Sequence, residues 1–428
     1  MKELHPMKKI LSTLRSSKFL LAFYSVAGGS VLAQILNFAF QPVVSRLYSV
    51  EQFGEYTVYT TTLSVVSVII TLSYDQAVIA ARNRTEAQRL LFGTIYLSAI
   101  LSALFALFCI LCRAQVLAWM KLDDCDWLLL LPLNMFLLSS YTTVSSYNYI
   151  LEKYRSIGAA ACIRSAVIGF GQILLFFVGA ATSGLAFSQI LALIACSGAL
   201  VRHILSSGIS LENARPRAVL SAMKDNKQFP LFQMPATFVN HFVDAVITFA
   251  LLTLYSRKEL GLYSRVVQTL SIPISLISSS LYQLFVSELA KLGQQSAAKA
   301  LFRKLMAGMS ALIFLPMAAL FLFGEPLFVF VFGAQWSGVG IYIKALALLY
   351  SIKFVAYPLS GAAIIVKRQN VFLLFQVFLI AAAFLSYVFS SLLGFSSLQY
   401  LLTLNFTMSL VYIMQTAACY RMLGAYHK

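Results

Sequence analysis

Polar and apolar positions are segregated on a long scale in this chain. Runs of roughly 20 or more apolar residues recur from one end to the other, each long enough to cross a hydrocarbon core of about 30 Å as a helix. The pattern predicts twelve spans: Phe19 to Val43, Tyr56 to Ala80, Leu90 to Cys112, Trp127 to Ile150, Ile157 to Gly179, Ser183 to Leu205, Phe229 to Tyr255, Leu262 to Leu289, Leu305 to Phe323, Gly338 to Val366, Val371 to Leu393, and Ser397 to Tyr420. Polar residues inside the spans are ordered too. Ser30, Gln34, Asn37 and Gln41 share one face of the first, and Thr57, Thr61, Ser64, Thr71 and Asp75 form one stripe along the second.

The pattern repeats. Residues 47 to 56 read "LYSVEQFGEY" and residues 254 to 263 read "LYSRKELGLY", an offset of 207. Applied to the first stripe, that offset lands on Thr237, His241, Asp244 and Thr248; applied to the second, it lands on Ser264, Gln268, Ser271, Ser278 and Tyr282. The offset contains six spans, an even number, so the two copies enter the membrane in the same direction. The chain is therefore expected to consist of two parallel six-helix repeats, 1–212 and 213–428, related by an axis along the membrane normal. The repeated decapeptide joins the first two helices of each half. Gly54 and Gly261 are expected to serve a tight turn there, and Tyr48, Tyr56, Tyr255 and Tyr263 an interfacial aromatic belt.

Composition agrees with a membrane protein. Of the 428 residues 60% are apolar and 11% charged, and the mean hydropathy is +0.82, which excludes an ordinary soluble domain. The net charge of +17 would suit nucleic acid, but most of it sits in short loops such as "ARNRTEAQR", where it sets topology and attracts anionic head groups of membrane lipids. With the amino terminus inside, only Arg46, Arg113, Lys121, Arg257 and Lys258 fall in outer segments, while Arg164, Arg265, Lys344 and Lys353 lie within spans. Both termini are then cytoplasmic.

Soluble-enzyme chemistry finds little support. Cys109 and Cys112 form a C-x-x-C inside an apolar run, where small helix-packing residues are the simpler reading, and Cys125 stands alone in an outer segment. The four histidines are scattered, and no phosphate-binding glycine loop or nucleophile motif occurs. Asp123, Asp124 and Asp126 form the one acidic cluster, read as a solvated turn.

The stretches "GGSVLAQILNFAFQPVVSRLYSVEQFGEY", "FPLFQMPATFVNHF", "LYSRKELGLYSRVVQTLSIPISLISSSLYQLFVSELAKL" and "LFGEPLFVFVFGAQWSGVGIYIKALALLY" together resemble the polysaccharide-export branch of the multidrug/oligosaccharidyl-lipid/polysaccharide (MOP) exporter superfamily. The resemblance is greatest to bacterial O-antigen flippases of the Wzx type and covers nearly the whole chain. It implies two six-helix bundles around a central cavity in the bacterial inner membrane. Alternating access would move an undecaprenyl-pyrophosphate-linked oligosaccharide, a lipopolysaccharide precursor or a related unit, from the cytoplasmic to the periplasmic leaflet. Other polysaccharide assembly proteins are possible partners. Lipid II flippases of the superfamily often carry two further helices, for which this chain has no room.

An ionisable group inside a span is costly and marks a candidate site. Arg46 and Arg265 lie near the outer boundary, Lys344 deeper, Lys353 near mid-depth and Arg164 towards the cytoplasm; with Gln34, Asn37, Gln41, His241 and Gln268 they are the candidates for binding pyrophosphate or glycan. Arg46, Arg265 and Lys344 could equally snorkel or pair with an acid. Asp75 and Asp244 are candidates for coupling to a proton or sodium gradient; no cofactor or metal is called for. Tyr141, Tyr147, Tyr149, Tyr342, Tyr350 and Tyr357 could stack on sugars but are read as packing or belt residues. Two other functions stay open: a multidrug or small-solute exporter of the same superfamily, which would more typically show acids in its cavity, and a membrane-embedded polymerase, which should expose a long outer loop.

Overall fold

The computed structural model describes residues 18–119, 127–292, 295–366 and 368–425. Cys125 and the cluster Asp123, Asp124 and Asp126 lie outside these residues, as does the basic amino-terminal stretch. The described chain is α-helical, as lipid requires of a backbone that must satisfy its own hydrogen bonds. It forms α1 (Lys18–Leu47), α2 (Val50–Thr71), α3 (Tyr74–Ile79), α4 (Arg84–Leu111), α5 (Arg113–Trp119), α6 (Trp127–Ile150), α7 (Tyr154–Phe177), α8 (Ala181–Ser206), α9 (Pro216–Asp225), α10 (Met234–Leu254), α11 (Arg257–Lys291), α12 (Gln295–Phe332), α13 (Gly340–Leu359), α14 (Gly361–Ile365), α15 (Gln369–Leu393) and α16 (Ser397–Met422). Among the described residues twelve of these have 20 residues or more, and ten helices are both long and apolar enough to cross a membrane. The remaining two long helices, α1 and α2, carry the polar stripes of the first repeat. This is an all-α, multi-pass membrane protein.

The chain divides into two compact units, one comprising residues 1–47 and 63–235, the other 48–62 and 236–428. In the first unit α1 runs alongside α7 at very short range. A side chain on Gly29 would overlap the backbone of Gly158, and one on Gly169 would overlap the ring of Phe40. The two contacts are eleven residues apart on both helices in the same sense, so α1 and α7 are parallel, as the first and fifth of an alternating series must be. One end of this unit is closed by polar contacts: Gln88 donates to the Tyr147 hydroxyl at 3.1 Å and accepts from Asn213 at 2.7 Å, and the Tyr74 hydroxyl donates to the carbonyl of Met223 at 3.1 Å. Amphipathic α9 packs on α4 through Val219 and Met223, which fill the space left by Gly93.

The second unit is built on α13, whose buried face, including Ile343, Leu346, Leu349 and Phe354, is its core. Asn405 of α16 donates to the carbonyl of Ala345 at 3.0 Å. Residues 48–62 belong here because several contacts tie them down. Arg257 pairs with Glu55 at 2.9 Å, Gln335 donates to the Tyr48 carbonyl at 3.0 Å, and Phe53 meets Trp336 edge-on at 5.4 Å.

Three sequence expectations are corrected. Gly54 and Gly261 do not make turns; they lie inside α2 and α11, where a side chain on Gly54 would strike the backbone of Arg257 and one on Gly261 the backbone of Val50. Glycine is needed for close approach, not for a special φ. Tyr48 is fully buried and packs on Phe53, so it is no belt residue. The second span is broken, because Leu72 and Ser73 both have positive φ (46° and 58°) and separate α2 from α3, a conformation that non-glycine residues adopt only when their surroundings hold them there.

Candidate substrate-binding site

In the second unit a cavity of about 350 Å³ opens between α11 and α13. Ser271, Ser275, Ser278 and Ser279 line it from α11, and Tyr350, Lys353 and Tyr357 from α13. These α13 positions are three and four apart and so share a face. Lys353 lies about 20 Å along α13 from Gly340, at 1.5 Å per residue. Its ammonium sits 5.6 Å from the centre of the Tyr350 ring, and the Tyr350 hydroxyl is 3.3 Å from that of Ser271. Ser278 donates to the carbonyl of Phe354 at 3.4 Å, and Tyr282 stacks obliquely on Tyr357 at 5.6 Å. Lys353 is open to the cavity, yet deep enough within the unit to feel Tyr350, Tyr412 and Asp244.

Asp244, on α10, is exposed on its unit, and the charges acting on it are those of Lys353 and His241. Among the described residues Asp244 and Lys353 form no ion pair within 4.0 Å. The structure thus brings His241, Asp244 and Lys353 into electrostatic reach without locking them together. Thr248, the last member of the same stripe along α10, is buried and bonds the Thr61 hydroxyl at 3.3 Å.

The other candidates sit elsewhere. Arg265 is 2% exposed, its guanidinium enclosed by the rings of Phe53, Phe332 and Trp336 at 4.6, 5.0 and 5.5 Å. It donates to Gln268 at 2.9 Å. Placed so, the pair lies apart from the residues that line this cavity. Lys344 is exposed, but on the opposite side of α13 from Lys353, nine positions or two and a half turns away. In the first unit Gln41 donates to Asn37 at 3.1 Å and Gln34 is half-buried. Arg164 stands over the Tyr141 ring at 5.5 Å, with its Nε buried and unbonded. Arg46 is exposed at the end of α1, and Asp75 is half-buried in α3, just past the break at Leu72 and Ser73. Reading the sequence missed Tyr350 and Tyr357 as cavity residues, and with them Ser275 and Ser279. The signal was the α11 stripe of Ser271 and Ser278, whose neighbours one turn away complete the same face.

A face of hydroxyls and aromatic rings around one accessible ammonium can bind an anionic group that carries sugars. The cation takes the charge, hydroxyls exchange hydrogen bonds with the sugar, and rings cover its apolar faces. Solved structures share this architecture. An inward-facing multidrug resistance MATE family transporter of the MOP superfamily superposes with a TM-score of 0.69 at 13% identity, covering 95% of this chain and 98% of the other. The lipid II flippase MurJ in an inward closed conformation gives 0.71 at 9% identity, over 93% and 87%. A MOP superfamily transporter from Pyrococcus furiosus, described as having a binding pocket of reverse polarity, gives 0.59 at 13%, over 96% and 97%. The fold is that of the MOP-superfamily transporters. Residues 43–340 match the family of polysaccharide biosynthesis proteins, and the chain belongs to that family. The comparison with curated proteins finds no match.

Proposed function

We propose that this protein is a flippase that carries an undecaprenyl-pyrophosphate-linked oligosaccharide, an O-antigen or related surface-polysaccharide unit, from the cytoplasmic to the periplasmic leaflet of a bacterial inner membrane by alternating access. Membership of a polysaccharide biosynthesis family supports the substrate class. The observation that carries the reading is Lys353, an open cation deep in a cavity of hydroxyls and tyrosines. Such a site suits a diphosphate bearing sugars and repels the cationic solutes that a multidrug exporter would take. Asp244 extends the proposal. It faces Lys353 without pairing with it, so protonation or sodium binding at Asp244 would change the charge that an anionic substrate meets, and a gradient could drive the cycle by biasing its two forms. Asp75, beside a helix break, is the second candidate for that role.

Deletion of the gene in its source strain tests the reading. Lipid-linked glycan is expected to accumulate in the cytoplasmic leaflet while surface glycan is lost. Unchanged surface glycan, or accumulation in the outer leaflet, would overturn it; the second outcome points to a polymerase.

A further inference from the structure

The opposite side of α13 from Lys353 is the floor of a second cavity, of about 1040 Å³, walled by α12 and α16. Its character is the reverse of the first. It is lined by apolar residues such as Met306, Ile313, Phe314, Met317 and Ile413, and its polar members are few. Along α12 it runs from Arg303 to Phe321, eighteen residues or about 27 Å, close to the full hydrocarbon thickness of about 30 Å. Each end carries a cation. Arg303 is exposed at the inner end, and Lys344 at the outer end, 5.9 Å from the Phe321 ring. Among the described residues neither has a hydrogen bond or an ion pair with another side chain.

Length and charge identify the occupant. An acyl chain of a phospholipid is confined to one leaflet and needs only half of this groove and one cation. A chain that fills the whole length must be longer than a leaflet is deep, and a lipid whose anionic head passes from one side to the other meets a cation at each end in turn. We propose that the groove between α12, α13 and α16 holds the polyisoprenoid chain of the lipid-linked substrate, and that Arg303 and Lys344 receive its phosphate on the cytoplasmic and outer sides. This rests on the flippase reading and adds a tail site to the head-group site. With one site for each part of an amphipathic molecule on either face of α13, that helix becomes the partition that the substrate straddles.

The test is photolabelling of the full-length protein in nanodiscs of zwitterionic phospholipid, using a polyisoprenyl diphosphate without sugar that bears a photoreactive group along its chain. Labelled peptides are expected to map to α12 and α16 around Ser310 and Ala417. Excess unlabelled polyisoprenyl diphosphate should compete, and phosphatidylglycerol should not. Ser310→Trp and Ala417→Trp each fill the groove and should lower labelling about tenfold, the loss of about two buried methylenes. Labelling spread evenly over lipid-facing helices, or displaced equally by phosphatidylglycerol, would overturn the proposal, and the wild-type map decides this even if neither variant folds. Transport of a lipid-linked glycan by the wild type in vesicles keeps the two readings apart. Transport without groove labelling removes the tail site alone, whereas groove labelling without transport of any such glycan removes the flippase and leaves a polyisoprenoid site.

Discussion

Lys353 and Arg265 look alike in the sequence, each a lone cation in an apolar run, and the structure gives them opposite surroundings. Lys353 is exposed and lines a cavity; Arg265 is buried among three rings and bonded to Gln268. Lys353→Ala is therefore expected to leave membrane abundance near normal while reducing glycan export about 10- to 100-fold, the value of one or two charge-assisted hydrogen bonds, with Lys353→Arg retaining part of it. Arg265→Ala should do the reverse, lowering abundance and thermal stability while the surviving protein still transports. Immunoblot and surface-glycan yield measured together separate the two, and equal loss of abundance in both variants would contradict the distinction. Asp244→Asn should bind substrate yet lose its response to an imposed pH or sodium gradient; flux at the original rate with an intact gradient dependence would exclude coupling through Asp244. The difference between the two cations is not legible locally, because Phe332 and Trp336 come from 67 and 71 residues downstream of Arg265. Tyr350 and Tyr357 hid for a related reason, since an aromatic at helical spacing reads the same whether it faces a neighbour or a cavity.

At the scale of the elements, the repeated decapeptide was visible at once but its mechanics were not. Ser49 and Gln52 bond each other's backbone amides, at 3.2 and 2.8 Å, and the Ser256 side chain accepts from the amide of Glu259 at 3.2 Å. In both copies S-x-x-Q or S-x-x-E is a helix start, with the first copy closing a full capping box. Read that way, the motif places Gly54 and Gly261 about one turn into their helices, where a turn-forming role is excluded. Gly54→Val and Gly261→Val are expected to destabilise by at least about 1–3 kcal/mol each, the usual cost of overpacking. Gly198→Ala, at a helical glycine with open space around it, should be neutral or mildly stabilising. Melting of the detergent-solubilised protein checks all three. The break between α2 and α3 escaped the sequence because Leu72 and Ser73 are ordinary helix residues; their surroundings, including the buried Tyr74 and Ala77, impose the left-handed backbone.

For the whole molecule, hydropathy alone foresaw the long helices, ten of which are long and apolar enough to cross a membrane among the described residues, since lipid permits little else, and charge placement predicts their direction. In a cysteine-free variant, single cysteines at Ser49 or Ser337 should react with an impermeant reagent added to intact spheroplasts, and cysteines at Thr85 or Gln295 only after the membrane is opened. The opposite pattern would reverse the topology. What hydropathy could not reveal is that residues 48–62 pack with the second unit, because that depends on which side chains the elbow meets. The elbow's geometry has a consequence for ancestry. Gly54 meets Arg257 and Gly261 meets Val50, and the offset of 207 carries each member of the first pair onto the second. A reciprocal contact of this form is isologous, the kind that two identical subunits make about a two-fold axis. A single chain would have it if two copies of one six-span unit, already paired through this surface, had been joined end to end. The two glycines would then be one ancestral residue seen from both sides of a former interface, and similar destabilisation on replacing either is the expected trace.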